Sequence, residues 1–141
     1  MLLTDLIQFI KKHKESTKRT VFDFTHLNDW VEWAVKNKYA FISKNDKQDI
    51  NGVVVVCPIG KWSETPNMEQ VIDSLSKKHT GDTDYFIMDA LVDNCNVRLN
   101  LSQNIVNKYP SILNNNTKVF AQKGENIWLI PTKHLINFTK Y

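Results

Sequence analysis

Gly52-Val53-Val54-Val55-Val56-Cys57 is the stretch that decides the fold. An unbroken β-branched run suits a strand covered on both faces, hence a central strand of a sheet packed by helices. Pro58 and Gly60 close it. Tyr85-Phe86-Ile87-Met88-Asp89-Ala90-Leu91-Val92 reads as a second apolar strand, interrupted by Asp89. Between them Thr65-Pro66 opens a helix, with Pro at its first position and Met68, Val71, Ile72 and Leu75 on its inner face. After the second strand, Asp93-Asn94-Cys95-Asn96 is rich in helix-capping residues. A helix follows with Leu101, Ile105, Val106 and Tyr109 inward, and Pro110 stops it.

Working outward, Leu3, Leu6, Ile7 and Ile10 recur at helical spacing, so residues 3–16 form an amphipathic helix. Thr20 to Phe24 alternates like a strand. Thr25 caps a helix whose buried stripe is Leu27, Trp30, Val31, Ala34 and Val35, with Trp33 beside it and half exposed. Tyr39 to Ser43 is a strand, followed by a polar turn that contains Asn51-Gly52. Lys118 to Gln122 and Asn126 to Ile130 make a hairpin around Lys123-Gly124-Glu125. The tail from Thr132 packs along an edge. The two helices that join strands in the middle of the chain suit crossovers. The expected architecture is α/β of the mixed α+β kind, a mixed central sheet with helices on both faces. With 141 residues and no internal repeat or linker, residues 1–141 read as one domain.

Lys and Arg number 18 and Asp and Glu 15, for a net charge of +3. Lys11, Lys12, Lys14, Lys18 and Arg19 face only Glu15, so the excess is one local cluster. It is either a solvated helix end or a nucleic-acid contact, and a chain with two arginines is poorly equipped for bidentate phosphate recognition. Two cysteines make no disulfide framework and point to a reducing compartment, with Cys57 in the core. No apolar run reaches the ~18 residues of a membrane span, and an acid and a lysine cluster follow Met1-Leu2-Leu3 where a secretory signal would stay apolar. A cytoplasmic setting is the expectation.

The four glycines form neither G-x-G nor a phosphate loop, and the four histidines and two cysteines lack metal-ligand spacing, so no metal site is expected. Three places could carry chemistry. Asp89 stands inside an apolar strand near its end, as a general base or as a carboxylate at a solvated position. The turn Asn94, Cys95, Asn96, Val97 and Arg98 opens a helix, either to receive an anion or simply to be capped by its asparagines. His26 begins a helix as a base or as a surface residue.

Tyr85-Phe-Ile-Met-Asp-Ala-Leu-Val-Asp93, the turn and the helix through Tyr109 resemble the fourth strand and following helix of the GNAT superfamily of acyl-CoA-dependent acyltransferases. Asn37 to Ser43 and Gly52 to Cys57 resemble its second and third strands, and Lys118 to Ile130 its later ones. The helix Pro66–His79, Tyr85-Phe-Ile-Met-Asp89 and Lys108-Tyr-Pro110 are similar to the branch of RTX-toxin-activating lysine acyltransferases, and small phage proteins share the layout. The resemblance implies acyl transfer to an amine or hydroxyl of a partner protein. Asp89 or His26 would be the base, acyl-CoA or an acyl-carrier protein the donor, and residues 94–98 the donor's binding turn. The turn carries Asp93-Asn-Cys-Asn-Val-Arg98 where the superfamily has a glycine-rich phosphate grip. The alternative is a non-catalytic protein on the same layout, a phage virion component or a binder of a host protein; abundant Lys, Asn and Ile suits an AT-rich phage genome. The two readings separate on structure. An enzyme requires strands 53–57 and 85–92 to part beside Asp89. A binding module requires an exposed apolar patch, around Trp33 or Trp62.

Overall fold

The computed structural model describes residues 2–17, 27–79, 81–114, 116–123 and 126–130. Two helices come first, α1 (Leu2–Thr17) and α2 (Leu27–Lys36). Then follow β1 (Ala40–Lys44), β2 (Ile50–Gly60), α3 (Met68–Leu75), β3 (Asp84–Val92), α4 (Cys95–Lys108), β4 (Val119–Lys123) and β5 (Asn126–Leu129). A short 3-10 turn, Pro110–Leu113, follows α4. The expected strand Thr20–Phe24, the cap Thr25 and the tail from Thr132 lie outside the described residues.

The strands form one mixed sheet in the order β1-β2-β3-β4-β5. All neighbours are antiparallel except β3 and β4, which are parallel. Among the described residues only α4 therefore spans a crossover; α3 joins two antiparallel neighbours, contrary to the expectation that both helices could serve as crossovers. β2 is an interior strand, as its composition demands. Val53, Val55 and Cys57 face a core shared with Leu6 and Ile10 of α1, Val31 and Ala34 of α2, and Val71 of α3. Val54 and Val56 face the other core, with Val97, Leu101 and Ile105 of α4. Burying a side chain of this kind contributes roughly 1.5–3 kcal/mol, so a strand apolar on both faces is stable only between two helical layers.

Local chemistry moves several boundaries. α3 starts at Met68, not at Pro66, because Asn67 and Gln70 form a reciprocal capping box. The β1–β2 turn is built by Asn45, whose side-chain oxygen accepts the N–H groups of Lys47 and Asp49 at 2.9 and 3.0 Å. Asn51-Gly52 lies inside β2 instead. Gly52 is there for space: a Cβ would stand 2.4 Å from Cγ1 of Val97, where α4 crosses the strand.

Candidate functional site

The opening expected between the strands 53–57 and 85–92 is absent. β2 and β3 are paired from Gly52↔Val92 to Gly60↔Asp84. Most described side chains of the two strands are buried, Ala90 being exposed, and parting the strands would strip backbone N–H and C=O groups of partners in a largely dry interior. The ladder has a bulge at Met88: Val55 pairs with Asp89, yet Val56 pairs with Ile87. Asp89 is thus placed opposite Val55 in register; its side chain, like all of His26, lies outside the described residues. Among the described residues, β3 and β4 pair only from Tyr85↔Val119 to Ile87↔Ala121. Farther along β3, His13 of α1 brings Nε2 to 3.4 Å from the carbonyl oxygen of Val92.

The turn after β3 is a capped helix start. Asn94 accepts the N–H of Val97 at 3.0 Å, and Val97 is buried under β2. Asn96 and Cys95 are exposed, and Arg98 Nη2 lies 3.5 Å from Cys95 Sγ. One of the first-turn donors that an anion would use is therefore already satisfied. Cys57 is fully buried, and burial pushes its thiol up to about 12. Lys11 and Lys12 are exposed on α1; the side chains of Lys14, Lys18 and Arg19 lie outside the described residues. No helix is long and apolar enough to cross a membrane among the described residues.

Two features were not singled out from the sequence. The first is Asp84, at the start of β3 and the one fully buried carboxylate among the described residues. Its oxygens accept the backbone N–H of Trp62 at 2.9 Å, that of Lys118 at 2.9 Å, and Lys61 Nζ at 3.2 Å. Lys61 also donates to the Asn116 carbonyl and pairs with Asp82 at 3.3 Å. Partial burial pulls the Lys61 amine down, but the bonds to Asp84 and Asp82 outweigh it and leave the amine above its ordinary range. With donors from Lys61 and Trp62 just past β2 and from Lys118 just before β4, Asp84 at the head of β3 clamps three strand ends and has no open side for a substrate. A carboxylate at the head of an apolar strand was its sequence signal.

The second is an open apolar groove of about 420 Å³ between α2 and α3. Trp30 and Trp33 form one wall, Ile72 and Leu75 the other, Met88 the floor, and Asp29 sits on the rim. Met88 shares the face of Phe86 by ordinary strand alternation, which puts its side chain on this side of the sheet. Trp33 is held edge-to-face by Tyr39, ring centroids 5.4 Å apart. Ile72, expected on the inner face of its helix, is 55% exposed. Trp62 is no part of the groove; its indole N–H donates to Ile59.

No known protein family, curated protein or solved structure matches this chain.

Proposed function

We propose that this domain binds a partner protein through the groove between α2 and α3. The carrying observation is the groove's composition: two tryptophans, a leucine and a half-exposed isoleucine line one concavity. Ile72 is exposed and Trp30, Trp33 and Leu75 are half-buried beside it, so the concavity offers apolar surface for a partner to cover, and buried aromatic anchors supply much of the energy of protein interfaces. A GNAT-like layout would then serve as scaffold for a binding surface. The test is a photo-crosslinking residue at exposed Ser76, on the groove, in cells that encode the protein. The expected result is an adduct with one discrete protein that Ile72→Asn abolishes. No adduct, or one indifferent to Ile72→Asn, rejects the reading.

Acyl transfer is the second reading, and with the β2–β3 ladder closed it would need its opening at the parallel pair β3 and β4, which join only from Tyr85↔Val119 to Ile87↔Ala121 among the described residues. The order of elements favours it, with α4 crossing between the parallel strands β3 and β4 and its first turn directly after β3. In that reaction an amine or hydroxyl of a partner attacks a thioester carbonyl, the C–S bond breaks, a thiol leaves, and Asp89 or His26 takes the proton. Incubation with acyl-CoA or acyl-carrier-protein thioesters and an amine acceptor checks it by thiol release. Release that Asp89→Asn or His26→Ala lowers by roughly 100-fold or more supports the reading; release at the buffer rate removes it.

A further inference from the structure

We infer that the groove takes a cationic amphipathic helix of its partner, an inference that rests on the groove being the binding surface at all. The first observation is charge. α2 carries Asp29 and Glu32 against Lys36, and α3 carries Glu69 and Asp73 with no basic residue. The two groove helices together hold a net charge of −3, in a protein whose total is +3. All four acids are exposed. Asp29 lines the groove; Glu32 and Glu69 stand three residues from Asp29 and Ile72 respectively, a spacing that puts each pair on one helix face. Lys77 neutralises Asp73 in an exposed pair at 3.2 Å, and with Lys78 exposed just past α3 the acids Asp29, Glu32 and Glu69 stand against Lys36 and Lys78 around the trough.

The second observation is shape. Two helices wall a trough floored by a methionine, an arrangement that receives the apolar stripe of a third helix. Met88 offers a polarisable, adaptable floor. The stripe would place Leu-type anchors at i, i+3 and i+7 against Trp33, Ile72 and Leu75. Lysine or arginine beside that stripe would meet the acidic rims, while an acidic helix would meet like charge there.

Two synthetic helical peptides of identical apolar stripe test this, one flanked by lysines and the other by glutamates. Calorimetry on the full chain should show the lysine peptide binding about tenfold more tightly at low salt, with the gap closing as salt screens the rims. Asp29→Asn combined with Glu69→Gln should lower the lysine peptide's affinity and leave the glutamate peptide's unchanged or improved. Ile72→Asn should weaken both. Equal binding of the two peptides, sensitive to Ile72→Asn, overturns the charge inference and leaves the groove standing. No binding of the lysine peptide overturns the inference, while the crosslinking experiment still decides the groove. Binding indifferent to Ile72→Asn overturns both.

Discussion

Asp84 holds its position through two backbone amides and one ammonium. Replacing it by alanine leaves the N–H groups of Trp62 and Lys118 without their acceptor. The expected loss is about 3–5 kcal/mol, read as a lower urea midpoint with an unchanged slope. Lys61→Met should cost less but still about 1.5–3 kcal/mol, because it takes a charge-assisted hydrogen bond from a fully buried carboxylate, while the lysine end of the pair is 36% exposed and screened. A double-mutant cycle separates the two. The sequence shows an acid before an apolar strand and stops there. Its three donors come from residues 61, 62 and 118, and no local pattern joins positions so far apart. Gly52 is similar: its reason is a methyl group of Val97, 45 positions away.

Elements were legible where periodicity and caps agreed. The interior place of β2 followed from its valine run, and the start of α4 from the capping residues of Asp93 to Asn96, among which the structure makes Asn94 and not Asn96 the cap. Asn94→Ala should destabilise the protein by about 1 kcal/mol, checked by thermal unfolding, with the largest rise in amide exchange at Val97 and Arg98. The start of α3 was misplaced because Pro66 suits a first helical position, whereas the reciprocal bonds of Asn67 and Gln70 fix the real one. The β2–β3 ladder was the larger error. Adjacent antiparallel strands with two apolar faces have every reason to stay paired, and the expected cleft would have opened the driest part of the sheet. Of the candidate site, the sequence pointed to the neighbourhood of Trp33. It missed Ile72 and Met88, because helical spacing says which residues share a face and not whether another element covers that face.

The whole molecule is two apolar layers on one sheet, and alkali should find its weak point. Burial raises the Cys57 thiol from 9.0 to about 12, and burial raises Tyr39 and Tyr109 as well. Folding thus favours the protonated forms. Their stabilisation is complete below pH 9 and declines as the unfolded chain, but not the folded one, loses protons. Urea-unfolding free energies should stay level through neutrality and fall by a few kcal/mol between pH 9 and 12. In Cys57→Ala the decline should start nearer pH 10, whatever the cavity costs at neutral pH. Sequence alone determined the mixed α/β class, the central β2 and the helical layers, because hydrophobic periodicity is a local record of which faces must leave water. Tertiary structure alone decided the paired β2–β3 ladder, the Met88 bulge, the Asp84 clamp and the trough between α2 and α3. Each depends on where distant segments meet, and the contacts that settle it are spread over residues that no short window holds together.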